Sequence, residues 1–169
     1  MLTCDGVLGK SSMKLDKIDR KILDILQHNA TIPVAEIGRK IGLSTTPCWR
    51  RIQNMEEAGV IQSRVAILDP TKVNTAVSVF VSIRTSEHSQ EWLNNFSKIL
   101  SGFPEVVEFY RMSGDVDYLL RVVVADIAAY DAFYQKLIAK ISLNDVSSSF
   151  SMEQIKYTTA LPLGNLSKT

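Results

Sequence analysis

The sequence predicts an α+β protein in which an N-terminal winged helix-turn-helix unit precedes a ferredoxin-like βαββαβ domain. Three observations lead to this prediction. Residues 15–59 contain three short stretches with apolar residues at helical spacing, and residues 61–68 then have the pattern of a strand. Residues 76–157 alternate strand and helix patterns in the order βαββαβ, and a proline-containing segment at residues 69–74 separates the two regions.

The composition is that of a globular protein. The chain has 169 residues, of which 46% are hydrophobic and 22% are charged. Its apolar runs are far shorter than the roughly 20 residues that cross a bilayer, so we expect a cytoplasmic protein with no membrane partner. Nine Lys and Arg stand against six Asp and Glu in residues 13–68, and nine against eleven in residues 69–169, so we expect a polyanion to bind the first half.

Few residues could carry catalysis or bind a metal. Cys4 and Cys48 form no C-x-x-C pair, and only His28 and His88 could complement them, so neither a disulfide framework nor a zinc site is indicated. Neither histidine has a carboxylate or nucleophile at a useful spacing, so we expect no metal, no cofactor and no catalytic residue. Cys48 lies on an apolar helical stripe, which favours a buried thiol over a redox sensor.

The first two helices are predicted from periodicity and capping signals. Helix one follows an aperiodic extension at residues 1–12, with Asp16 placed to cap it, and ends near His28. Its apolar stripe consists of Leu15, Ile18, Ile22, Ile25 and Leu26. Helix two is predicted over residues 33–41 with Thr31 as its cap, and Gly42 supplies the turn that follows.

The third helix is amphipathic. Ser44 is placed to cap it through its hydroxyl group, and Gly59 ends it. Cys48, Ile52 and Met55 recur at helical spacing, so this face is expected to pack on the first two helices. A tight glycine turn before such a helix is typical of a helix-turn-helix, in which the third helix enters the major groove of DNA.

The other face of the third helix combines hydroxyl, amide, indole and guanidinium groups. Arg50 could bind guanine or a phosphate, and Gln53 could bind adenine. For Arg51, a phosphate contact and a salt bridge to an acidic neighbour are equal alternatives, and a solvated face with a buried Trp49 is the alternative for the whole set. The candidate DNA-binding residues are Ser44, Thr45, Thr46, Pro47, Trp49, Arg50, Arg51 and Gln53.

The second region has the period of strands at residues 77–84, 106–112, 117–125 and 146–157, with helices between them. Asp126 is placed to cap the later helix, whose predicted buried stripe consists of Ile127, Tyr130, Tyr134, Leu137, Ile138 and Ile141. Helices would cover one sheet face only. The other face would carry Phe80 with either Phe109 or Tyr110, which predicts that it pairs with a second copy of the chain.

The hairpin SGDVDY, residues 113–118, is the second candidate site. Gly114 can adopt positive φ and expose backbone amides, while Asp115 and Asp117 supply carboxylates. Amides suit the carboxylate of an α-amino acid and carboxylates suit its ammonium group. Because Gly-Asp turns are common, an ordinary turn is the alternative.

Several segments together resemble the Lrp/AsnC family of bacterial and archaeal transcription regulators. They are LDKIDRKILDILQHNA, IGLSTTPCWRRIQNMEEAGVI, the strand leading into ILDP, SGDVDYLLRVVV and MEQIKY, and the resemblance covers residues 15–163. It implies a helix-turn-helix joined to a RAM-type βαββαβ domain that dimerises, with dimers commonly forming octamers. It also implies an effector, often an amino acid, bound near Ser113, Gly114, Asp115, Asp117 and Tyr118, with Ser149 and Ser151 on the last strand as further candidates.

The third helix departs from the commonest pattern of the family. Pro47 and Trp49 occur only in some branches of the family, so the base sequence that is bound does not carry over. Serines at 147–149 and 151 indicate a small or polar effector. The expected function is a sequence-specific regulator of transcription whose DNA binding or assembly responds to an amino acid. The alternatives are an architectural DNA-compacting protein and a small ferredoxin-like metabolic enzyme.

The predicted boundaries follow from these assignments. Residues 1–12 form an extension, 13–60 the helix-turn-helix domain, and 61–75 the connecting strand and linker. Residues 76–163 form the effector-binding and oligomerisation domain, and 164–169 a tail.

Overall fold

The structure, a computed structural model, describes residues 13–164. The predicted extension at residues 1–12 and most of the predicted tail lie outside the described residues. The elements are α1 (Lys17–His28), α2 (Val34–Ile41), α3 (Thr45–Glu57), β1 (Val77–Arg84), α4 (Gln90–Leu100), β2 (Val106–Arg111), β3 (Tyr118–Val124), α5 (Ile127–Ile138) and β4 (Asp145–Phe150). The predicted order of helices and strands is confirmed except for the strand expected at residues 61–68.

The described chain divides into two compact units. Residues up to Ala66, together with those from Lys156 onward, form the first unit, and Ile67–Ile155 form the second. This division differs from the predicted domain 76–163 at residues 156–163, which contact the first unit. No local pattern identifies this return of the chain, because its partners lie more than a hundred residues away.

A reciprocal hydrogen-bonded pair fixes the returning segment on α1. The side-chain amide of Gln27 donates to the carbonyl of Leu161 at 3.1 Å and accepts from the amide of Leu161 at 2.9 Å. The segment borders a groove of about 580 Å³ that Leu15, Leu23 and Leu26 line on the side of α1. The first unit is thus built from both ends of the described chain.

The three helices of the first unit share one apolar core. Asp16 caps α1, accepting hydrogen bonds from the amides of Ile18 and Asp19, and the Asp19 carboxylate accepts from the amide of Asp16 in return. The fully buried side chains come from all three helices and include Ile22, Ile37, Cys48, Ile52 and Met55.

Two local predictions in the first unit were wrong. Thr31 does not cap α2, because both its amide and its hydroxyl donate to the side chain of Asn29, and Pro33 occupies the N-cap position. The predicted connecting strand at residues 61–68 has no regular secondary structure. Extended chain becomes a strand only when another strand lies beside it, and the sequence does not supply that information.

The second unit contains a four-stranded antiparallel sheet in the order β2-β3-β1-β4, the arrangement of a ferredoxin-like domain. Val79, Val81 and Ile83 point from β1 toward a core that includes Phe96 of α4 and Phe133 of α5. β4 was predicted to reach residue 157 but ends at Phe150, which pairs with Val79 near the start of β1. Beyond Phe150, only the amide of Ser151 still donates to β1, at the carbonyl of Ser78.

The rotation of α5 differs from the prediction. Its buried residues are Tyr130, Phe133 and Leu137, whereas Ile127 and Ile138 are exposed. Both isoleucines fit an apolar stripe on the helix. Tyr130, Leu137 and Ile141 of the predicted stripe are buried as expected. Phe133, which the prediction left out, joins them in the core and packs edge to face against Phe103.

The open face of the sheet carries Phe80 and Tyr110, both partly exposed. Of the two aromatic residues predicted for β2, Phe109 instead packs against Phe96 in the core, with ring centroids 5.4 Å apart. The open face is less apolar than predicted, because Arg121 and Glu108 form an ion pair of 2.6 Å across β3 and β2.

Candidate functional site

Two glycines bring the start of α3 close to α2. Gly42 ends α2 in the left-handed region at φ 76°, which a residue without Cβ adopts without strain. Gly38 is buried, and a Cβ added there would lie 2.7 Å from the carbonyl oxygen of Leu43. This close approach sets where α3 begins.

The outer face of α3 is exposed, as predicted. Thr45, Thr46, Pro47 and Arg50 are exposed, and half of the Trp49 surface remains accessible. The Arg50 guanidinium makes no hydrogen bond or ion pair with any described residue. The opposite face is closed: Cys48 is fully buried, and burial raises the pKa of its thiol. A protonated, inaccessible thiol fits the structural role expected for it.

Two other candidates on α3 have local roles. Ser44 occupies the N-cap position, but its hydroxyl accepts no capping hydrogen bond, so the predicted mechanism was wrong although the position was right. Gln53 donates to Glu56 at 2.9 Å, and Glu56 in turn binds Arg64 at 2.7 Å. Gln53 is therefore less free to reach a base than Arg50.

Arg51 forms the salt bridge that was one of its two predicted alternatives. Its Nη1 donates to Asp16 Oδ2 and to Asp19 Oδ1, each at 2.7 Å. These bonds raise the pKa of the guanidinium, with the bond to Asp19 contributing most. Because the group is committed to the cap of α1, the structure does not support the assignment of Arg51 to the DNA-binding face.

The hairpin between β2 and β3 exposes backbone donors. Residues 113–116 lie in the turn, Gly114 has φ 114°, and the backbone amides of these four residues have no acceptor among the described residues. The Asp115 side chain is exposed and likewise makes no described hydrogen bond. Asp117 is half-buried, and its Oδ2 accepts from the amide of Thr85 at 2.8 Å. One of its oxygens is therefore structural.

Arg84 lies beside this hairpin and was missed by the sequence analysis. Its Nε donates to the carbonyl of Asp115 at 2.6 Å, and its Nη1 pairs with Asp145 at 3.2 Å. Arg84 ends β1 on the open face of the sheet. The strand pattern contained it, but only the sheet register places it next to a turn more than thirty residues away.

Three predicted effector residues do not face the exposed turn of the hairpin. Tyr118 is 2% exposed and packs among Trp92, Phe96 and Phe109, so it belongs to the core.

Ser149 pairs with Phe80, four residues from Arg84, which corresponds to about 13 Å along the strand. The amide of Ser151 donates to Ser78, about 20 Å from Arg84 by the same reckoning. Of the neighbouring serines, Ser148 faces the helices and shares a hydrogen bond with Tyr130. One chain alone therefore does not unite these serines with the hairpin.

Within residues 13–164, no group of three or more His, Cys, Asp or Glu side chains could hold a metal ion. In the same part of the chain, no helix has both the length and the apolar character needed to span a bilayer.

The fold and these two sites define a class of protein: a helix-turn-helix DNA-binding protein with a separate ligand-binding sheet domain. A model of the AsnC-type helix-turn-helix domain matches residues 15–56, and one of the Lrp/AsnC ligand binding domain matches residues 78–161. The chain belongs to the Lrp/AsnC family of transcription regulators. It is therefore a regulator of transcription and not a metabolic enzyme.

Curated relatives match nearly the whole chain. A glutamate uptake regulatory protein of Zymomonas mobilis is 55% identical over 89% of this chain and 92% of its own length. The DNA-binding transcriptional activator DecR of Escherichia coli is 47% identical over 88% of this chain and 99% of its own.

Solved structures of transcriptional regulators have the same fold as this chain. An AsnC family transcriptional regulator from Agrobacterium tumefaciens is 72% identical with a TM-score of 0.86, covering 88% of this chain and 97% of its own. A transcriptional regulator from Neisseria meningitidis in complex with L-Met is 33% identical with a TM-score of 0.85, covering 90% and 99%.

Proposed function

We propose that this regulator binds specific DNA sites through the outer face of α3, and that an amino acid bound at the 113–117 hairpin changes this binding. The free guanidinium of Arg50 is the observation that carries the DNA-binding part. The opposite face of α3 is packed in the core, which fixes the position of the Arg50 backbone. The Arg50 side chain is exposed and can enter a groove of DNA. Since its proposed partner is chromosomal DNA, we expect the protein to act in the cytoplasm.

The proposed DNA-binding face consists of Thr45, Thr46, Pro47, Trp49 and Arg50, with Ser44 at its edge. Thr45 and Thr46 lie in the first turn, where a recognition helix reaches base edges, and Trp49 offers an indole donor and an aromatic surface. Gln53 would contribute only after leaving Glu56. Arg51 is omitted.

Mobility shifts on the DNA upstream of the protein's own gene test this proposal. We expect Arg50→Ala to weaken specific binding about 5- to 150-fold, the range for one guanine or phosphate contact, with oligomer mass unchanged. Arg111→Ala, which removes an exposed arginine of β2, is the matched control and should bind normally. Equal affinities for the wild type and Arg50→Ala would overturn the assignment of this face.

The effector part rests on the four unpaired amides and the nearby carboxylates of the hairpin. The relatives support an amino acid, since one is named for glutamate uptake and one is complexed with L-Met. Mobility shifts repeated with each of the twenty L-amino acids should show a change for at least one. DNA binding that ignores all twenty would favour the architectural alternative.

We also propose that the open face of the sheet pairs with a second copy. Phe80 is 39% and Tyr110 is 50% exposed on this face, and an exposed aromatic patch bordered by charged side chains favours contact with another chain. The hairpin and the distant serines could then belong to one site formed between copies, and dimers could assemble further into octamers. Light scattering after gel filtration tests this, and a folded monomer at micromolar concentration would overturn it.

A further inference from the structure

We propose that Arg84 binds the carboxylate of the effector and thereby selects zwitterionic α-amino acids. This inference rests on the proposed function of the hairpin, and it adds to that site a residue that binds the effector carboxylate. It follows from three features: the position of the guanidinium, the unpaired amides beside it, and the surplus of carboxylates around both.

The Arg84 guanidinium is held in place by two contacts, and several of its N–H donors remain available. Nε is fixed by the Asp115 carbonyl and Nη1 by Asp145, yet 56% of the side chain is exposed. An arginine has five N–H donors, and the Arg84 side chain makes only two hydrogen bonds with described residues. The remaining donors are oriented by the tethered plane of the group, a favourable arrangement for binding a carboxylate with two hydrogen bonds.

The turn adds donors of the same kind. The bond from Nε to the Asp115 carbonyl places the guanidinium against the segment whose amides, at residues 113–116, are unpaired within the described chain. Consecutive free amides at a glycine turn form a concave site for an anion. Arg84 would supply the positive charge that these neutral donors lack.

The surrounding charge excludes a simple anion. Asp115, Asp117 and Asp145 outnumber the two arginines at this end of the sheet, Arg84 and Arg111. A ligand with only a carboxylate would meet net repulsion, whereas one that also has an ammonium group can use the unpaired carboxylate of Asp115 and the free oxygen of Asp117. An α-amino acid has both groups on one carbon.

Calorimetric titration of each L-amino acid and of its primary amide, such as L-methionine and L-methioninamide, tests the assignment. Amidation removes the negative charge and keeps the ammonium group and side chain. For the wild type we expect amidation to weaken binding about 10- to 100-fold, as for a lost charge-assisted hydrogen bond. For Arg84→Gln, the amino acid should bind as weakly as the amide, and the amide should bind within about threefold of its wild-type affinity.

Two further variants separate a direct contact from other effects. Arg84→Lys keeps the charge without the fork, so it should retain part of the preference for the amino acid. Arg111→Gln removes the same charge from the end of β2, which β3 separates from β1, and should keep the wild-type preference. If Arg84→Gln weakens the amino acid and the amide equally, Arg84 only tethers the hairpin and the inference is wrong; an equal effect of Arg111→Gln would also overturn it. If the wild type binds no amino acid, both this inference and the effector part of the proposed function are wrong. The DNA-binding part is tested separately by the Arg50→Ala mobility shift.

Discussion

Replacing Arg51 should destabilise the protein, whereas replacing the adjacent Arg50 should weaken DNA binding and leave stability unchanged. Arg51→Met removes the guanidinium that neutralises Asp19, whose side chain is only 4% exposed. Asp19 would keep one hydrogen bond, from the Asp16 amide at 3.1 Å. Leaving a buried charge without its partner costs about 3–5 kcal/mol. Because one third of Arg51 is exposed and water can partly replace it, we expect a loss of about 2–3 kcal/mol for the first unit.

Urea unfolding measures this loss. Trp49 and Trp92 are the two tryptophans, one in each unit, so in a Trp92→Phe background the fluorescence of Trp49 follows the first unit alone. A loss of about 2–3 kcal/mol should lower the midpoint by about 1–2 M urea. Arg50→Met is the matched control, and it should unfold within about 0.5 kcal/mol of the parent because its side chain has no described partner.

The double variant Arg51→Met/Asp19→Asn completes the design. It should regain part of the loss, because no charge then remains buried. An Arg51→Met protein as stable as its parent but defective in DNA binding would refute the reasoning and restore Arg51 to the DNA-binding face.

Three further predictions concern other contacts. Gly38→Ala should weaken DNA binding and stability together, since the new methyl group would have to displace the Leu43 carbonyl; melting temperature and mobility shift measured side by side check this. The pKa of Asp16 is lowered, chiefly by the hydrogen bond that its carboxylate accepts from the Asp19 amide. The carboxylate therefore contributes its full stabilisation above the ordinary pKa of 3.8, and this contribution is lost as pH falls through the lowered pKa. Urea midpoints from pH 6 to 2.5 should therefore fall less in Asp16→Asn than in the wild type. Asp117→Asn should keep the hydrogen bond from Thr85 and hence stability but bind amino acids weakly, whereas Asp117→Ala should lose both, as calorimetry and melting would show.

The sequence predicted the elements well because their signals are local. Asp16 and Asp126 cap α1 and α5 as expected, and the alternation that ends at Ile83 correctly defined β1. Signals of this kind depend on neighbours within a few residues of each other. The order of the elements then restricted the topology to one familiar arrangement.

What the sequence did not predict depends on distant partners. Tyr110 and not Phe109 lies on the open face, because a bulge between Val106 and Glu108 shifts the alternation of β2. Arg84 joins the hairpin only through the pairing of β1 with β3 and β4. In the same way, Arg51 could be assigned to Asp19 only once α1 and α3 were packed together.

The return of the chain to α1 makes the sheet domain an insertion within the helical unit, and not an appendage behind it. A fragment cut after Ala66 would lose Leu161 and the hydrogen bonds that Gln27 makes with it, and would open the groove beside Leu23 and Leu26 to water. An autonomous version of the DNA-binding module should therefore include the segment from Lys156 to Leu163 together with the residues up to Ala66.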